Sequence, residues 1–200
     1  MERNVELEVL KQAFDIESAA LATLKDRMDY EAMQRAVDAL SSAGCIATSG
    51  CGHSGIACMH FAHLLCCIEM PARFISPSEA VHGALGFIHE HDVMVLASRG
   101  GKTAELLPIL EICKKRKTTV ISVTENLASP MALESDIVIP MVVTRETDRE
   151  NAQGTTSFVV LSSIFDALQA ALIERTGFSN KTFAVIHPGG AVGARLNASG

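Results

Sequence analysis

Apolar residues near the start of the chain recur three and four positions apart. Between residues 5 and 25 they fall at Leu7, Leu10, Phe14, Ile16, Ala20, Leu21 and Leu24, the spacing of one helix face. A second helix is predicted over residues 30–43. From Cys45 onward the rhythm changes. Five short runs, at residues 45–48, 72–75, 92–98, 118–124 and 136–140, are apolar with little polar alternation. Helical stretches at 54–68, 103–117 and 155–175 lie between or after them, and a short helix over 180–190 closes the series. Pro108 falls inside the 103–117 stretch and predicts a kink there. Ser76-Pro77, with Glu79 three residues after Ser76, has the chemistry of a helix start.

Strands that are apolar throughout and alternate with helices form a parallel sheet covered on both faces. The fold class is therefore α/β. Ligands of such sheets sit beyond the carboxyl ends of the strands, which directs attention to the loops at 49–55, 76–86, 98–103 and 141–155. No repeat, low-complexity segment or internal linker divides the chain. Residues 1–200 read as a single domain, with N-terminal helices at 1–43 and a sheet-containing core at 44–200.

Composition narrows the function classes. The chain has 200 residues, a net charge of −6, 4% aromatic residues and no Trp. An acidic chain poor in stacking side chains is a poor nucleic-acid binder. The N-terminal "MERNVELEVL" is no secretory signal, and no uninterrupted apolar stretch reaches membrane-spanning length. These features point to a cytoplasmic protein with neither nucleic acid nor membrane as partner. The six cysteines then read as reduced thiols, Cys66 and Cys67 as small core residues, and His60 and His63 as packed histidines. No metal site is expected.

Two glycine motifs stand at predicted strand ends. "SRGGKT" (98–103) contains Gly101-Lys102-Thr103, but the glycine that a P-loop needs five positions before Gly101 is replaced by Leu96. The stretch still places Ser98, Arg99, Gly101, Lys102 and Thr103 between a strand and a helix, where amides and hydroxyls suit a phosphate. Gly50-Cys51-Gly52-His53-Ser54-Gly55 matches G-x-G-x-x-G, yet the next strand ends in Ile75-Ser76-Pro77 without the acid that would hold a ribose. This counts against a dinucleotide. It leaves Ser49, Gly50, Gly52, His53 and Ser54 as candidate ligand contacts.

Taken together, "SGCGHSG", "SPSEAVHGALG", "ASRGGKTAEL" and "FAVIHPGGAVGARL" resemble the sugar isomerase (SIS) domain family, and are closest to bacterial arabinose 5-phosphate isomerases. The resemblance runs from about Gly44 to Leu196. It implies a three-layer αβα sandwich with a five-stranded parallel sheet in flavodoxin-like order. It also implies a homotetramer with sites shared between subunits, and an aldose–ketose isomerase acting on a sugar phosphate without a cofactor. The model reaction converts ribulose 5-phosphate to arabinose 5-phosphate, a precursor of the sugar acid Kdo. Relatives often carry two CBS domains after the HPGG segment; this sequence would be an SIS-only form.

The resemblance places Ser49, Ser54, Ser98, Thr103 and Thr155-Thr156-Ser157 at the sugar-phosphate pocket. It places Glu105, Glu146, His82 and His187 at catalytic or substrate-contacting positions. His53 stands where the family usually has lysine, and Arg99 to Lys102 depart from the usual Ser-Asn-Ser-Gly-Glu-Ser. Isomerisation moves a proton between adjacent carbons through an enediol and needs a base, an oxyanion stabiliser and a proton shuttle. His187 is the expected shuttle and Glu105 an expected base. His53 is a candidate catalytic contact in the lysine's place. Two other functions fit the same residues: a non-catalytic sugar-phosphate sensor, and an isomerase of a hexulose 6-phosphate or sedoheptulose 7-phosphate.

Overall fold

A computed structural model describes residues 2–198. Two helices lead, α1 (Glu2–Arg27) and α2 (Tyr30–Ser42). Asp29 starts the second by accepting a hydrogen bond from the Ala32 amide at 2.9 Å, an ordinary side-chain cap. The core follows: β1 (Ile46–Gly50), α3 (Gly52–Cys66), β2 (Ala72–Phe74), α4 (Pro77–Ala80), a 3-10 turn (Ala84–Phe87), β3 (Val93–Ala97), α5 (Leu107–Arg116), β4 (Thr119–Thr124), α6 (Pro130–Glu134), β5 (Ile137–Pro140), α7 (Thr155–Thr176), α8 (Asn180–Ile186) and α9 (Gly190–Asn197).

The five strands form one sheet in the order β2-β1-β3-β4-β5, and every pairing is parallel. β1 and β3 are buried along their whole length, while the edge strands β2 and β5 are only partly so. This is why the central runs show no polar alternation. One apolar core lies between the sheet and α1, α2, α3 and α7, with Phe61 and Phe165 stacked at 4.3 Å. The other lies on the opposite face, with Leu106, Ile109, Leu110 and Met131. The three-layer αβα architecture is as the sequence implies.

The chain order reverses between β1 and β3, the switch point where sheets of this kind open a crevice. Register makes that crevice sharp. Gly50 pairs with Ala97 and Ala97 with Val123, so the loops that begin at Cys51 and Ser98 leave the sheet side by side.

Several local expectations need correction. Pro108 does not kink a helix; it lies in the first turn of α5, where its missing N–H costs nothing. Residues 103–106 are therefore not helix, and 104–106 form a turn. The HPGG segment separates two helices, α8 and α9. Ser76 opens α4, but its hydroxyl bonds to Ser78 Oγ instead of capping the helix. Cys66 is exposed and Cys67 half-buried; only Cys58 and Cys113 are buried. Burial pushes the Cys58 thiol up strongly and the Cys113 thiol up to about 12. His60 and His63 lie on the exposed face of α3, because Ala57, Cys58, Phe61, Ala62 and Leu65 take the buried one. α7 is long and apolar enough to cross a membrane by length and composition. Here its apolar residues pack against the other helices of its layer.

Candidate active site

Beyond the carboxyl end of β1 lies a crevice of about 360 Å³ lined by Gly50, Cys51, Gly52, Ser76, Ser78 and Glu105, among others. A second opening of about 300 Å³, lined by His53, Gly154, Thr155 and Phe158, lies beside it. Ile56 lines both, so the two flank the first turn of α3. Burial raises the Cys51 thiol, and the nearby Glu105 carboxylate raises it further.

The turn after β3 is braced from within. Ser98 Oγ is 2.8 Å from Thr103 Oγ1 and accepts the Gly101 amide at 3.1 Å. Gly101 has φ +64°, and a Cβ there would overlap Ser129 Oγ, so only glycine fits. The Met131 amide donates to Gly101 O, which ties the turn to the start of α6. Among the described residues, Lys102, Ala104 and Glu105 make no hydrogen bond. Their amides stay available as donors just beyond a parallel strand, a setting that suits an anion. Lys102 is exposed and adds a positive charge.

Arg99 points elsewhere. Its Nε donates to Glu125 Oε2 at 2.8 Å and its Nη1 to Glu146 Oε1 at 2.7 Å. Glu146 is only 2% exposed, although it sits in a run of charged residues. Its Oε2 accepts the Ser157 amide at 3.1 Å and the Thr155 hydroxyl at 3.4 Å. The carboxylate thereby sits at the positive end of α7 and takes one of its first amides. The loop behind it is laced by Asn151 Oδ1, which accepts the Glu146 amide, and by Asp148, which accepts the Ala152 and Gln153 amides.

His53 Nδ1 lies 2.7 Å from Gly154 O. A carbonyl can only accept, so Nδ1 carries the proton and, in the neutral ring, Nε2 presents a lone pair. A Cβ on Gly154 would stand 2.6 Å from His53 Nδ1, so this approach requires glycine.

Other expected contacts are not brought together. Ser49 is completely buried, with its hydroxyl donating to Ile75 O; it holds β1 to the end of β2 and faces no opening. Thr156 is likewise buried, in the first turn of α7, its hydroxyl unpartnered among the described residues. Ser54 and Ser157 lie in the first turns of α3 and α7. His82 is exposed and lines neither opening. His187 is remote. α7 carries the chain away from the site for 22 residues, about 33 Å at 1.5 Å each. Phe178 and Phe183 then pack beside Cys67 and Ile68 at the far end of α3, and His187 lies 4.9 Å from Phe183.

Cys51, Ser76, Ser78, Glu125 and Asn151 belong to the site or its support; Cys51, Ser76 and Ser78 lie inside the glycine and Ser-Pro motifs but are not among the contacts those motifs suggest, and no motif contains Glu125 or Asn151. Their strand-end positions were the available signal, and the loop after β4 belongs with the other strand-end loops that build the site.

Comparison with known proteins agrees with this architecture. The SIS domain family model matches residues 39–171. Arabinose 5-phosphate isomerase KpsF of Escherichia coli is 34% identical over 188 residues, 94% of this chain and 58% of the relative. The chain thus spans about three fifths of the length of the curated relatives it matches. A solved Listeria monocytogenes structure, of a putative sugar-phosphate isomerase, is 37% identical with a TM-score of 0.91, covering 94% of this chain and 100% of that one. An E. coli CFT073 protein solved in complex with arabinose 5-phosphate is 29% identical with a TM-score of 0.88, again covering 94% and 100%. The chain belongs to the SIS domain family.

Proposed function

We propose that this chain is an aldose–ketose isomerase of a sugar phosphate, with ribulose 5-phosphate and arabinose 5-phosphate as the interconverted pair. One observation carries the reading: a turn with free amides at Lys102, Ala104 and Glu105 adjoins a crevice lined by the Glu105 carboxylate, at the β1/β3 switch point. The amides and Lys102 suit the phosphate. Glu105 suits proton abstraction at carbon 1 or 2, and the enediol needs only acid–base groups and hydrogen-bond donors. The similarity to KpsF and to the protein solved with arabinose 5-phosphate supports the pentose 5-phosphate.

His187 serves this reading as a proton shuttle only if it comes from another copy, because its own site lies at the opposite end of α7. The exposed His82 fits the same arrangement. We therefore include a homotetramer with shared sites. The exposed apolar strip of α1, with Leu10 and Phe14 at 62% and 73% exposure, supports assembly of this kind.

The direct test adds ribulose 5-phosphate to the protein without added metal and follows arabinose 5-phosphate by NMR. Formation of the aldose, or solvent deuterium entering at carbon 1 or 2, is expected; the absence of both rejects the reading for that sugar. A second reading, a sensor that binds without turnover, is favoured by one feature: His53 replaces the family lysine and is tied to Gly154 O. Sugar-phosphate binding without isomerisation across a pentose and hexose panel would decide for the sensor.

A further inference from the structure

The acid-bearing loop between β5 and α7 has no strand or helix of its own, yet Glu146 is nearly sealed within it. A buried carboxylate must be paired, and its partner comes from the turn after β3. Arg99 is 37% exposed and bridges two carboxylates. Glu125 at the exit of β4 also accepts the Val143 amide through Oε1 at 3.4 Å. Glu146 also holds Ser157 N and Thr155 Oγ1 at the start of α7. The Arg99 carbonyl accepts Thr124 Oγ1 at 3.0 Å and the Glu125 amide at 3.0 Å. One residue therefore joins the ends of β3, β4 and β5 and the head of α7.

Both Glu146 oxygens are occupied by donors, one by the guanidinium and one by the α7 amide and hydroxyl. Glu105 makes no hydrogen bond among the described residues and lines the crevice. We infer that Arg99 is a positioning residue that holds Glu146 as a fixed strut of the site wall, so that Glu105 and not Glu146 exchanges protons with the sugar. The inference deepens the isomerase reading and rests on it for its kinetic part.

The test is a double-mutant cycle of Arg99→Gln and Glu146→Gln. Removing Arg99 alone strands a buried charge, so the double variant, neutral on both sides, is the one that must fold. Displacing the wall should lower kcat by about a hundredfold in R99Q. KM should rise less than about threefold, since Ser98 and Ser129 still brace the phosphate turn. E146Q keeps an oxygen for Ser157 N and should lose less than about tenfold in kcat/KM. The double variant should lose no more than R99Q, as residues acting as one unit do.

The idea is overturned if E146Q abolishes proton exchange at carbon 1 or 2 while still binding inorganic phosphate. It is equally overturned if the two losses multiply, or if R99Q raises KM with kcat intact. Amide exchange in the ligand-free protein separates this from the activity itself. R99Q should speed exchange at Ser157 and Val143 and leave Gly101 unchanged. Unchanged exchange at Ser157 and Val143 ends the proposal even for a protein that turns over no sugar. A wild type without turnover but with this exchange pattern rejects the isomerase reading and keeps the strut.

Discussion

Glu105 and Glu146 are both carboxylates at the ligand edge of the sheet, and their surroundings give them different work. Glu146 is enclosed by Arg99, Thr155 and the Ser157 amide. Glu105 stands exposed at the lip of the crevice. Replacing Glu105 by Gln keeps its size and removes its ability to take a proton. The expected outcome is a loss of kcat of about a thousandfold or more, of the order reached when a positioned acid–base group is removed. Phosphate affinity by calorimetry should stay within about threefold. A Glu105→Gln enzyme that retains most of its kcat would show that another group takes the proton. His53 illustrates the same dependence on surroundings: its proton is fixed on Nδ1 by a carbonyl 101 positions away in sequence, a relation no spacing rule contains.

At the level of elements, each loop that leaves the sheet is fixed by its neighbour. The turn after β3 leans on Ser129 before α6, and the loop before α7 is pinned by Arg99 and His53. Asp148 organises the tip of that second loop. Its hydrogen bonds from the Ala152 and Gln153 amides hold the carboxyl below the ordinary aspartate value of 3.8. A folded value below the unfolded one means that the contribution is complete above 3.8 and disappears as pH falls through the lower, folded value. The Ala152 and Gln153 amide shifts should therefore titrate together with a midpoint below pH 3.8. In Asp148→Asn that titration should vanish. A midpoint at or above 3.8 would contradict the bonding described.

At the largest scale, the expected sharing of sites gives the sharpest prediction. Glu105 and His187 lie at opposite ends of α7 within one chain. Glu105→Gln and His187→Ala homomers, each inactive, should regain activity when dissociated, mixed and reassembled, because some sites then receive an intact residue from each parent. About a quarter of the wild-type rate is the statistical ceiling for two residues drawn independently from an equal mixture. No recovery in verified mixed oligomers would confine the site to one chain and remove His187 from it.

The layered α/β architecture was legible from residue order, because burial on both faces makes β3 apolar throughout and β1 and β4 largely so, without polar alternation, and leaves the helices their own period. The glycine turns were legible too, since a backbone at positive φ, such as that of Gly101 at +64°, favours glycine. Spacing could not reveal that Ser49 would be spent on Ile75 O, that Pro108 would begin a helix, or that Glu146 would be buried against Arg99 47 positions away. Those outcomes depend on which strand ends meet and which donors face one another across the sheet. Hydrogen bonding and charge pairing act over about 3 Å in space, and only folding brings such distant residues within that reach.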